Sequence, residues 1–202
     1  MLLWGDKAHP VRDCNKAKAT VTTTTHAISA LNGASTEYSP SEGVNASDDV
    51  SVLFPTNSQN VNSVLKPIPL GDAPDPGTLV YARGNSYTGG NQLAQNTSVA
   101  EFVGMSAVSS YRGLDIFVEP DTSQHSVPGN SGGALLTSTG SIFAEIADVT
   151  SVPIPLPQIN VDYGLNLTDT SSHNYWVVEG VPLDDLTLSG LASGAHTCNY
   201  PK

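Results

Sequence analysis

Glycine and proline, 18 and 14 of the 202 residues, cut this chain into short apolar runs and leave no long amphipathic pattern. A helix of ordinary length needs an uninterrupted stretch with apolar residues recurring about every 3.6 positions. A strand needs only a few alternating or β-branched residues between turn signals. The pattern therefore points to an all-β fold of many short strands, a barrel or a sandwich. Hydrophobic residues at 39% and charged residues at 13% suit a globular chain with a sizeable core better than a disordered one.

Taken in order, residues 1–18 are polar and irregular. Residues 19–26 carry a threonine run, β-branched and strand-prone, that ends at His26. Residues 29–47, rich in Ser, Gly, Asn and Pro, read as loop. Asp48 and Asp49 lead into an apolar strand over 50–54. Prolines hold 64–71 extended. Asp75-Pro76-Gly77 is a turn, 78–82 a strand, 84–90 a glycine-rich loop, 98–108 a long strand and 114–118 another. Residues 140–146 read as a strand, 152–157 as a proline-rich linker or loop, and 161–167 and 175–178 as short strands. Residues 182–194 leave room for one short helix.

The formal net charge is −11, and no Lys or Arg lies between Arg112 and Lys202. Nothing here forms a basic footprint for nucleic acid or an anionic membrane. No run approaches a transmembrane helix. Met1-Leu2-Leu3-Trp4 is too short an apolar stretch for a signal peptide, so the protein either stays inside or begins after a leader. Sequons at Asn45, Asn96 and Asn166 lean towards secretion. Cys14 and Cys198 are compatible with one disulfide and equally with two free thiols. None of the five histidines has ligand-like spacing, and 84–90 lacks the Lys-Ser/Thr ending of a phosphate loop. No metal and no cofactor are expected.

The chemistry concentrates in Pro128-Gly129-Asn130-Ser131-Gly132-Gly133-Ala134-Leu135. A serine nucleophile needs exposure, nearby N–H donors and small neighbours. Glycines on both sides let a carbonyl approach the backbone closely. The N–H groups of Gly129 and Ser131 are suited to share one oxyanion. A glycine-rich turn before a strand is the plainer reading of the same octet. Serine also needs a base and the base an orienting group. Histidine suits the first role and a buried carboxylate the second, which brings in His26 and Asp49.

With these three in view, the sequence resembles the chymotrypsin/trypsin-like serine peptidases, especially the bacterial-type branch with the HtrA-like enzymes. Gly129-Asn130-Ser131-Gly132-Gly133 resembles the family's nucleophile motif. Thr23-Thr24-Thr25-His26 is similar to its Thr-Ala-Ala-His strand end, and Asp49-Val50-Ser51-Val52-Leu53 to its aspartate segment. The stretch from Pro69 to Val80 looks like the link between two barrels. The resemblance covers roughly 19–167, and 161–165 would be the last pocket-lining strand.

The resemblance implies a double six-stranded antiparallel β-barrel of the chymotrypsin type, with a reduced first barrel. Residues 1–70 would carry His26 and Asp49, residues 71–167 would carry Ser131, and 168–202 would form an extension. It implies a serine endopeptidase, acting on protein or peptide and expected to be secreted, with Ser131 as nucleophile, His26 as base, Asp49 as orienting group, and Gly129 and Ser131 as the oxyanion hole. By the same resemblance His125, Ser126, Ala147, Asp148 and Val149 would line the primary pocket. There His125 would suit a polar or acidic side chain, and Asp148 or Glu145 a basic one. Two rivals stand beside this reading: a catalytically inactive homologue that binds peptide or protein, and an unrelated β-sandwich in which the three residues lie apart.

Overall fold

The computed structural model describes residues 2–4, 18–22, 27–36, 50–55, 67–88, 92–111, 113–122, 124–168 and 173–183. Four N-terminal strands, β1 (Leu2–Trp4), β2 (Lys18–Thr22), β3 (Ala27–Thr36) and β4 (Val50–Pro55), form an antiparallel sheet in the order β1-β4-β3-β2. β2 and β4 fall on the threonine run and on the apolar stretch after the acidic pair. β3 corrects the expectation of loop over 29–47. Its small polar residues carry little strand propensity, but pairing with β2 on one side and β4 on the other supplies the ladder. A bulge between Asn32 and Ala34 takes up Gly33.

Seven strands follow: β5 (Leu79–Thr88), β6 (Gln92–Met105), β7 (Asp115–Pro120), β8 (Ala134–Leu136), β9 (Ile142–Val149), β10 (Ile154–Pro155) and β11 (Asn174–Pro182). Their order is β10-β11-β7-β6-β5-β8-β9, and β11 also pairs with β9. That second pairing closes a six-stranded antiparallel barrel of β5 to β9 and β11. The all-β, chymotrypsin-like expectation holds, with one closed barrel and an open first sheet among the described residues. β11 comes from the 168–202 segment and supplies the closing strand.

Two local expectations are corrected. Residues 84–88 are not loop but the outer part of the β5–β6 ribbon, paired in register from Gly84↔Asn96 to Thr88↔Gln92. Glycine in that strand marks a close approach rather than a break. Residues 161–167 are not a strand, and no pocket-lining strand exists at 161–165. The chain there is the end of α1 (Leu156–Tyr163), with Pro157 in its first turn and Gly164 as a left-handed C-cap at φ 68°. Leu156, Ile159 and Tyr163 are buried at helical spacing, whereas Val161 is 73% exposed. The short helix also takes part of the 152–157 segment expected to be linker.

The core has two layers. Val80, Ala100, Phe102, Phe117, Phe143 and Ile146 belong to the cluster inside the barrel, where the Phe117 ring lies 5.2 Å from Phe102 and 5.9 Å from Phe143. Leu114, Ile116, Val118 and Val177 pack beneath α1 in the second. Alternation along β7 sends its residues to both layers, so it is buried on both faces.

Four carboxylates are buried with these layers: Asp115, Glu119, Glu145 and Glu179. Glu119 accepts from Ser126 N and Oγ and from Ser98 Oγ. Glu179 accepts from the Tyr163 hydroxyl at 2.9 Å. Burial, then the adjoining Glu179 carboxylate, pushes that phenol above its usual range and keeps it a donor. Asp115 Oδ2 has no hydrogen-bond partner among the described residues.

Burial raises the Asp115 pKa from 3.8 to about 7, so its neutral form is favoured in the folded state. A raised carboxyl pKa means that the native state holds a proton the unfolded chain has lost. The associated stability is fully present below about pH 4 and falls as pH climbs to 7. That interval corresponds to about 4 kcal/mol at most. Asp115→Asn should therefore flatten the stability profile between pH 4 and pH 8. Urea midpoints of both proteins across this range would check it, and parallel profiles would show that Asp115 carries no such shift.

Candidate active site

Ser131 lies on the loop between β7 and β8, and the hydrogen bonds of that loop fix its shape. Asn130 N–H donates to Val127 O at 3.0 Å, while Asn130 Oδ1 accepts from Val127 N–H at 2.8 Å. Gly133 N–H returns to Asn130 O at 2.9 Å. Gly132 N–H donates to Ile146 O and Gly133 O accepts from Ile146 N–H, both at 2.8 Å, which ties the loop to β9. Gly129 and Gly132 have φ of 100° and 81°, left-handed values that a side chain would strain.

These bonds engage the N–H groups of Asn130, Gly132 and Gly133. The N–H groups of Gly129 and Ser131 have no acceptor among the described residues. Gly129 and Ser131 are the two residues from which an oxyanion hole is expected, and they stand one on each side of Asn130.

Asn130 is only 1% exposed, and its Nδ2 has no partner among the described residues. It is held by fit. A Cβ on Gly84 would come 2.8 Å from Asn130 Cβ. On Gly133 it would lie 2.6 Å from Arg83 O, 2.7 Å from Asn130 O and 2.9 Å from Gly84 Cα, all backbone atoms that cannot swing aside. Glycine is required at 133 for space, so that the loop can lie directly on β5.

Beside Ser131 opens a cleft of about 580 Å³. One wall is Gly129 to Ala134. The other is the β5–β6 ribbon, with Arg83, Gly84, Asn85 and Gln95. Sequence reasoning missed this second wall. The one signal for it was glycine within an otherwise strand-like run.

The residues expected to line a primary pocket are not among the described residues lining this cleft. Ser126 is buried on Glu119 and within 3.1 Å of Ser98 Oγ. His125 is half-buried: its Nδ1–H donates to Ser126 O, and its ring stacks on Trp176 at 3.9 Å between centroids. Asn96 Nδ2 donates to His125 O at 2.7 Å, so the amide of that sequon is occupied inside the fold. Ala147 and Val149 are buried, one in each core layer. Asp148 is half-buried, with Oδ1 accepting from Val149 N–H. Glu145 is buried. None of the six is among the described residues that line the cleft. His26 and Asp49 lie outside the described residues, as do Cys14, Cys198 and the tail expected to hold a helix.

The sequence model of the trypsin family matches residues 8–157. By sequence alone, no curated protein matches significantly. Among solved structures, the chain is similar to the HtrA-type protease AlgW with decapeptide, at a TM-score of 0.56 and 17% identity, covering 96% of this chain and 48% of that one. A variant of AlgW with tripeptide is similar at a TM-score of 0.52 and 17% identity, over 89% and 48% of the two chains. The chain spans about half the length of these proteases, and at such identities the likeness is one of fold.

Gly133→Ala should displace the loop or split it from β5. An expected loss of about 2–4 kcal/mol would lower the melting temperature by roughly 5–15 °C. Calorimetry would test this, and an unchanged transition would show that the close approach is not needed.

Proposed function

Because the chain belongs to the trypsin family, we propose that it is a serine endopeptidase. Ser131 is the nucleophile, His26 the base, Asp49 the group that orients it, and Gly129 and Ser131 the oxyanion donors. The observation that carries this reading is the pair of N–H groups left unused on either side of anchored Asn130. Donors left free for a developing negative charge would cost little reorganisation when the reaction occurs.

The chemistry follows from these roles. Ser131 Oγ attacks the scissile carbonyl as its proton passes to His26, and the new oxyanion settles on the two N–H groups. Collapse of the adduct breaks the C–N bond, with His26 returning the proton to the leaving amine. Water then repeats the sequence on the acyl-enzyme and frees Ser131. The substrate is a peptide or protein, a reading supported by the similar protease AlgW having been solved with a decapeptide. A secreted protein is part of the reading, supported by the exposed sequon residue Asn166.

One observation favours the second reading, a catalytically inactive homologue that keeps the cleft for binding. The described N-terminal strands form an open four-stranded sheet rather than a closed barrel. A base carried by such a sheet is less firmly held.

Labelling with a fluorophosphonate probe, followed by intact mass, separates the two. The peptidase reading expects one adduct on the wild type and none on Ser131→Ala. A folded wild type that stays unlabelled would favour the binding protein. For a labelled protein, Asp49→Asn should slow peptide hydrolysis by about 10⁴-fold with little change in melting temperature.

A further inference from the structure

The described wall of the cleft opposite Ser131 carries a charge of its own. The chain has 19 acidic residues against 8 Lys and Arg. Among residues whose side chains are described, Arg83 is the only Lys or Arg. It lines the cleft beside Ser131, and no Asp or Glu is among the described lining residues. In a strongly acidic molecule this is a local reversal of sign at the site where a substrate would lie.

The position follows from the sheet. Arg83 pairs with Ala134, three residues beyond Ser131, in the β5–β8 register. Its neighbours Ala82 and Gly84 are buried, and Arg83 and Asn85 are exposed on the alternate face. Gln95, opposite Asn85 on β6, comes to the same face. Arg83 Nη2–H donates to Gln95 Oε1 at 2.9 Å. That bond uses one of five guanidinium donors and turns the Gln95 amide NH₂ into a further donor beside it. A fork of donors with no carboxylate among the described residues lining the cleft is matched to a planar carboxylate.

We propose that Arg83, held by Gln95, is a specificity-determining residue that selects peptides bearing an Asp or Glu side chain close to the bond at Ser131. The inference rests on the reading of this cleft as a peptide site. It differs from the alternative in which Asp148 or Glu145 favours a basic side chain; neither is among the described residues lining the cleft.

The test uses the full chain and matched peptides that differ only by Glu, Gln or Lys at each position flanking the cut. On the wild type, one position should favour Glu over Gln by about threefold to tenfold, as expected for an accessible charge pair of good geometry. Arg83→Glu should reverse the order at that same position, giving Lys over Glu. Arg83→Gln should abolish the preference, and the preference should weaken as salt is raised.

Binding of the same peptides to Ser131→Ala, with and without Arg83→Glu, measures the effect without turnover. A wild type that fails to label with fluorophosphonate yet binds the Glu peptides in an Arg83-dependent way would sink the peptidase reading and leave this one standing. No acidic preference in cleavage or in binding would overturn it, and so would a preference indifferent to Arg83→Glu.

Discussion

A Cβ on Gly133 would lie 2.6 Å from Arg83 O and 2.7 Å from Asn130 O, and much of the site rests on that absence of space. The loop carrying Ser131 is not propped by side chains. It lies backbone to backbone on β5 and is tied by paired hydrogen bonds to Ile146 of β9. Asn130 then fills the gap over Gly84, and its Oδ1 holds Val127. With Asn130 fixed, the N–H groups of Gly129 and Ser131 on each side have no acceptor among the described residues. The seating of one glycine thus decides where two donors and a hydroxyl stand relative to the cleft.

The second constraint is charge. A run without Lys or Arg from 113 to 201 must bury Asp115, Glu119, Glu145 and Glu179 without a cation from its own length. For two of them, hydroxyls and a backbone N–H group are the described donors. Glu119 draws on Ser98 and Ser126, and Glu179 on Tyr163. Such donors stabilise a buried carboxylate, or a carboxylic acid, without a salt bridge. Among residues whose side chains are described, Arg83 is the only Lys or Arg, and it stands at the cleft.

The strand pattern was legible where turn residues bound an apolar run: the Asp75-Pro76-Gly77 turn before β5, the alternation of β7, and β9 after Gly140. The Ser131 loop was legible because the glycines it needs for φ and for space are also its motif. Illegible stretches share one cause, structure imposed from outside the segment. β3 is polar and becomes a strand because two neighbours pair with it. In α1, Val161 and Tyr163 alternate as in a strand, yet Pro157 and Gly164 delimit a helix whose buried residues are spaced by three and four. The cleft's second wall is built from β5 and β6, far from Ser131 in sequence, and only the glycine within β5 marks it.

The way the barrel closes has a consequence for how the chain acquires its shape. β11 pairs with β7 on one side and with β9 on the other, yet follows both in sequence, beyond α1. During synthesis, β5 to β9 can collapse into a sheet, but a slot stays open along the edges of β7 and β9. Such edges are templates for pairing with other chains, and contacts of long sequence separation form slowly. β9 is also the strand to which the Ser131 loop is tied. The Ser131 loop is thus tied to a strand whose second edge is covered only when β11 arrives.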